Sequence, residues 1–206
     1  NNLETLGELL LQERDIENIW EKYTRMVSLS KDENFINFIN SNDQRIVECS
    51  YSQREKEPFC GPGGLVEYSS ELLKNAKNIS KAIGYEFSST RLIKACLLSD
   101  IGRIGNATED RFIICQSDWH KEKLGQYYDW NENCEKYSIQ DMSLFHAQSN
   151  NIKLSWEEWQ AIFLSKDFMS EDNKFYGSHR HRLSVILNLA KQVTLKNEID
   201  KINGVF

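Results

Sequence analysis

Only two prolines occur in 206 residues, Pro58 and Pro62, and both fall in one short stretch that also holds Gly61, Gly63 and Gly64. Proline removes a backbone donor and fixes φ, so it ends helices and is avoided in their interiors. A chain that confines its prolines to one place leaves long runs on either side free to coil, which is easier to reconcile with many helices than with many turns. Cys60-Gly-Pro-Gly-Gly64 itself forces an irregular loop.

Apolar spacing agrees. From Leu3 to Val27, Leu6, Leu9, Leu10, Ile16, Ile19, Trp20, Tyr23 and Val27 recur at mostly helical intervals. Ser30-Lys-Asp-Glu33 has the form of a capping box ahead of Phe35, Ile36, Phe38 and Ile39. Residues 40 to 58 are polar and without a clear period, and are read as a loop. A long helix is expected from Leu65 to Ile83, with Gly84 as its C-terminal cap. Ser88 or Ser89 caps the next helix, through Leu92, Ile93, Cys96 and Leu97. Phe112 to Cys115 and Tyr127 to Trp130 are β-favouring runs, and a small hairpin is expected over 111–130. Ser155-Trp-Glu-Glu158 is a second capping box, and Leu183, Ile186, Leu187, Ala190 and Val193 mark a terminal helix. The expected fold class is all-α, a single domain over 1–206 with a helical extension at 1–28 and a tail at 196–206.

Composition excludes several roles. Apolar residues make up 40% and charged residues 27%, the proportions of an ordinary soluble protein. No run of about 18 apolar residues is present to cross a bilayer, and the first 20 residues lack the features of a signal peptide, so a cytoplasmic location and no membrane partner are expected. A net charge of -6 opposes non-specific nucleic-acid binding and favours a protein or small-molecule partner. Five cysteines, odd in number and without a C-x-x-C pair, are read as free thiols. No phosphate-binding loop, dinucleotide fingerprint or nucleophile elbow appears.

Gly63-Gly-Leu-Val-Glu-Tyr-Ser69 and Leu97-Leu-Ser-Asp-Ile-Gly102, followed by the hairpin and by His146-Ala-Gln148, resemble the HD superfamily of metal-dependent phosphohydrolases, in particular small bacterial and phage members. Ala161-Ile-Phe-Leu-Ser165 and Leu187-Asn-Leu-Ala-Lys191 extend the resemblance, which spans about 29–195. It implies an HD-like helical bundle. It also implies a site where imidazoles and carboxylates from separate helices hold a divalent metal that polarises a phosphoryl oxygen and activates water.

At the positions of the family's ligands this chain carries Tyr68, Ser99, Asp100, His146, Ser165 and Lys191. Only Asp100 and His146 keep ligand chemistry. Tyrosine and serine are poor substitutes for imidazole, and a lysine ammonium repels a cation. The expectation is therefore a pseudoenzyme with no cofactor, binding a protein partner or a nucleotide-like ligand without turnover. In the resembled fold Lys191 lies opposite Asp100, which implies an ion pair in the vacated metal position, with Ser99, Tyr68 and His146 as candidate suppliers of hydrogen bonds.

An alternative is a divergent phosphohydrolase that holds Mn²⁺ or Mg²⁺ through Asp100, His146 and a spare imidazole from His120, His179 or His181. A third is a structural subunit of a virion or larger assembly. Lys174 with His179-Arg-His-Arg182 is the densest cationic cluster and a candidate anion site, set against a plain solvated loop. Trp119, Trp130, Trp156 and Trp159 are candidates either for an interaction surface or for the core.

Overall fold

A computed structural model describes residues 14–167 and 169–205. Ten α-helices account for most of the described chain: α1 (Ile16–Ser28), α2 (Glu33–Ser41), α3 (Asp43–Glu48), α4 (Gly64–Ala82), α5 (Ser89–Leu98), α6 (Asp118–Leu124), α7 (Ile139–Ser149), α8 (Trp156–Leu164), α9 (Glu171–Tyr176) and α10 (Arg182–Ile202). Two strands, β1 (Phe112–Ile114) and β2 (Tyr128–Trp130), form an antiparallel pair in which Phe112 faces Trp130 and Ile114 faces Tyr128. Single 3-10 turns cover Ile101–Ile104 and Gly177–His179.

Short polar side chains set where most of these helices begin. Asp15, Ser88, Ser117 and Ser170 each accept an amide from the first turn of the helix they precede, as N-caps do. Ser155 and Glu158 form the expected capping box at α8. At α2 the expected box is not the one that forms. Asp32, not Ser30, is the N-cap and accepts from the Phe35 amide, while the Ser30 hydroxyl accepts from the Asp32 amide. Lys31 takes a positive φ of 56°, which turns the chain after α1 and moves the helix start two residues on.

Gly84 ends α4 as expected. Its φ is +69°, its amide bonds to Lys81 and the Tyr85 amide bonds back to Ser80, the paired bonds of a Schellman motif. The glycine that opens α4 answers a tighter demand. A Cβ on Gly64 would sit 1.9 Å from the Phe59 carbonyl oxygen, so the loop returns over the helix start only because no side chain is there.

The stretch 40–58, read as a loop, contains α3. Ile46 alone of that helix is fully buried, and one anchor every six residues leaves no period to read. Between the strands lies a helix in place of a simple turn, since Ser117 caps α6 and Gly125 closes it at φ +59°. The expected tail at 196–206 is helical as far as Ile202, because Thr194 and Glu198 carry the buried stripe onward. Leu6, Leu9 and Leu10 lie outside the described residues, among which the first helix is Ile16–Ser28.

Helix α10 packs along α4 and α8, α5 packs against α4 and α8, and α7 lies on the 3-10 turn at 101–104. Their apolar faces form one principal core in which Tyr68, Leu72, Ile93, Leu97, Ile162 and Ile186 are fully buried. Lys94 ties three elements together inside it: its ammonium lies 3.4 Å from Asp32 and 3.8 Å from Glu158, so the caps of α2 and α8 share one cation. No helix among the described residues is long and apolar enough to cross a membrane.

Candidate functional site

Helix α5 ends at Leu98, and the two residues after it, Ser99 and Asp100, are completely closed to solvent. A buried carboxylate must be compensated. Four side chains do so. The Lys191 ammonium, from α10, donates to Oδ2 at 2.9 Å, joined there by the Tyr68 hydroxyl from α4 at 3.2 Å and the Ser99 hydroxyl at 3.3 Å. Arg103 Nε, from the 3-10 turn, donates to Oδ1 at 3.2 Å. Lys191 is fixed from the other side by the Ser165 carbonyl, also at 2.9 Å.

The expected pair of Lys191 with Asp100 is thus present, with Tyr68 and Ser99 as suppliers. His146 is not one of them. Helix α7, which carries it, packs on the turn after Asp100, and the His146 Nε2 donates to the Gly105 carbonyl at 2.8 Å while its ring leans on Phe38. Burial lowers the pKa of this imidazole, so it is held neutral. Ser165 contributes its backbone only, since its hydroxyl donates to Ile162.

Arg103 was not anticipated. It lies inside Leu97–Gly105, the stretch over which the resemblance runs, and a cation at i+3 from a buried Asp was the available signal. Its guanidinium also donates to the Tyr51 carbonyl at 2.7 Å and stacks 3.6 Å above the Tyr51 ring, which in turn packs 4.2 Å from the Tyr68 ring. Burial would raise the Asp100 carboxyl, but the charges of Lys191 and Arg103 outweigh it and hold the group below its usual value. Burial and then the Asp100 charge push the Tyr68 phenol well up, so it acts as a donor only.

This arrangement does not suit a divalent metal. Asp100 Oδ2 already accepts from Lys191 and Tyr68, with the Ser99 hydroxyl shared between it and the Cys96 carbonyl, and the nearest positive charge is covalently part of the chain. Among the described residues no three His, Cys, Asp or Glu side chains converge as a metal site would require. Asp100 and His146 do not form one with His120, His179 or His181. Beside the pair lies an open cleft of about 780 Å³ between α7 and α10, walled by Arg103, Gln140, Lys166, Asn188 and Lys191.

The cationic cluster near α9 does not converge on a common point. Lys174 pairs with Glu171, Arg180 donates to the Gly177 carbonyl and to Asn173, and Arg182 lies 4.6 Å over the Tyr85 ring. The His181 amide donates to the Gln160 side chain at the start of α10. Of the tryptophans, Trp119 and Trp156 are exposed, Trp156 stacks on Trp159 and Trp159 on Phe163 along α8, and Trp130 belongs to the hairpin.

No protein-family profile, curated protein or solved structure matches the chain.

Proposed function

We propose that this chain is an HD-like pseudoenzyme, a protein that keeps the buried acid of a metal-dependent phosphohydrolase site but fills the cation's place with its own lysine, and that acts by binding a protein or a nucleotide-like ligand. One observation carries the reading: Lys191 Nζ at 2.9 Å from Asp100 Oδ2, at the two positions that the resemblance assigns to facing metal ligands. A charge built into the chain needs no exchange with solvent and cannot activate a bound water by coordination. The adjoining cleft, with Arg103, Lys166 and Lys191 on its walls, supplies the surface for binding.

Elemental analysis of the purified protein and calorimetric titration with Mn²⁺ test this, together with an assay for hydrolysis of nucleotides. Sub-stoichiometric metal, no saturable Mn²⁺ binding and no turnover are expected. Near-stoichiometric, tight binding lost in Asp100→Ala, with metal-dependent hydrolysis, would overturn the reading in favour of a divergent phosphohydrolase.

A further inference from the structure

A second cavity, of about 350 Å³, shares Arg103 with the Lys191 cleft and is lined by α3, the 3-10 turn at 101–104 and β1. Two arginines on its wall are treated differently by the fold. Arg45 is saturated: its guanidinium donates to Asp110 at 2.6 Å and to the carbonyls of Ile104, Asn106 and Glu109. Arg111 is not. Its guanidinium lies between the rings of Phe112 and Trp130, at 5.0 and 4.9 Å, and its Nε and Nη1 are closed to solvent with no hydrogen-bond acceptor. Stripping two donors of a cation of water without replacing it is among the costlier things a fold can do, and such groups are few in native proteins.

The surrounding charges do not relieve it. Asp110 is committed to Arg45, and Glu48 is exposed at the rim, where it accepts from Gln44. Behind the wall, Asp100 is already paired with both Lys191 and Arg103. Burial and the Arg103 charge hold the Arg111 guanidinium below its usual pKa. The rest of the wall is mostly apolar, made by Ile104, Phe112, Ile114 and the ring of Tyr128, with Ser50 and Gln116 beside them.

We propose that this cavity binds a small organic oxyanion, a carboxylate or phosphate carried on a flat apolar body, with Arg111 as the charged anchor and the hairpin face as the apolar seat. Arg111 lines the cavity, and a guanidinium carries paired, coplanar donors that suit carboxylate and phosphate alike. The site stands apart from the proposed function, since it needs no metal and does not use the Lys191 cleft.

Calorimetry on the full chain in EDTA distinguishes the sources with four probes: phenyl phosphate, benzoate, inorganic phosphate and uncharged benzamide. Saturable binding of phenyl phosphate or benzoate is expected, whichever is tighter naming the head group, with weak binding of phosphate alone and none of benzamide. Arg111→Gln is expected to weaken the tighter probe by about tenfold or more, and Gln116→Glu, an exposed change at the cavity's edge, to weaken it in the same direction. Without ligand, Arg111→Met keeps a long polarisable side chain against the two rings and removes the bare donors, so its Tm is expected to match or exceed that of the parent. No binding of either aromatic anion at millimolar concentration, binding indifferent to both substitutions, or a fall of several degrees in the Tm of Arg111→Met would each overturn the proposal.

Discussion

Asp100 is a carboxylate with no exposed surface, held by more positive charge than it needs. Removing one partner of a buried pair leaves the other stranded, typically at a cost of 3–5 kcal/mol, and here Arg103 remains to share the load. Lys191→Met is therefore expected to lose about 3 kcal/mol in urea denaturation, near the low end of that range. The double variant Asp100→Asn with Lys191→Met should lose less than the sum of the two single losses, because each single change breaks the same pair. A double variant less stable than the sum of the single ones would contradict this account of the pair. At this scale the sequence revealed Tyr68, Ser99, Asp100 and Lys191 through word resemblance. It could not place His146, because its spacing along α7 says which helix face it occupies and not which neighbour that face meets. Arg111 was equally hidden, since a bare donor is a property of what surrounds it.

Helix starts and stops were the most legible features, because caps act over three or four residues and the relevant atoms are neighbours in sequence. Ser88, Ser155 and Gly84 all do locally what their types suggest. Ser30 lost its place to Asp32 because two capping side chains competed within one turn. The short helices α3, α6 and α9 escaped because six or seven residues hold too few buried positions to show a period. Two substitutions separate the local contribution from the tertiary one. Ser155→Ala should cost about 1 kcal/mol, the usual loss of an N-cap. Gly64→Ala should cost more than about 3 kcal/mol, since the new Cβ would meet backbone at 1.9 Å and the loop over α4 would have to move. Thermal denaturation of both proteins checks the order, and equal losses would mean that the loop yields easily.

Across the whole molecule, buried titratable groups define a pH window. His146 has its pKa lowered by burial, so below 6.5 the unfolded chain takes up the proton more readily and stability falls with pH. Asp100 is held below 3.8, which adds a further loss at lower pH. On the alkaline side burial pushes the thiols of Cys49 and Cys60 up to about 12 and about 11. Their contribution is complete below the unfolded value of 9.0 and disappears as pH rises through the folded ones. A plateau between about pH 6.5 and 9 is expected in Tm against pH, with decline on both flanks. Replacing His146 with Gln should flatten the flank near pH 6 while leaving the alkaline one in place, and an unchanged acid flank would assign that decline to other groups.

The bridge from Asp100 to Lys191 joins positions 91 residues apart. Closing so long a loop is slow relative to forming the helices within it, so a growing or refolding chain assembles α4, α5 and the 3-10 turn before α10 arrives. Until then Asp100 has Arg103, Tyr68 and Ser99 nearby but not its ammonium, and the pocket that will bury it lacks a wall. Docking of α10 and neutralisation of the interior are thus one event, so the charge state of that carboxylate reports whether the helix has reached its place.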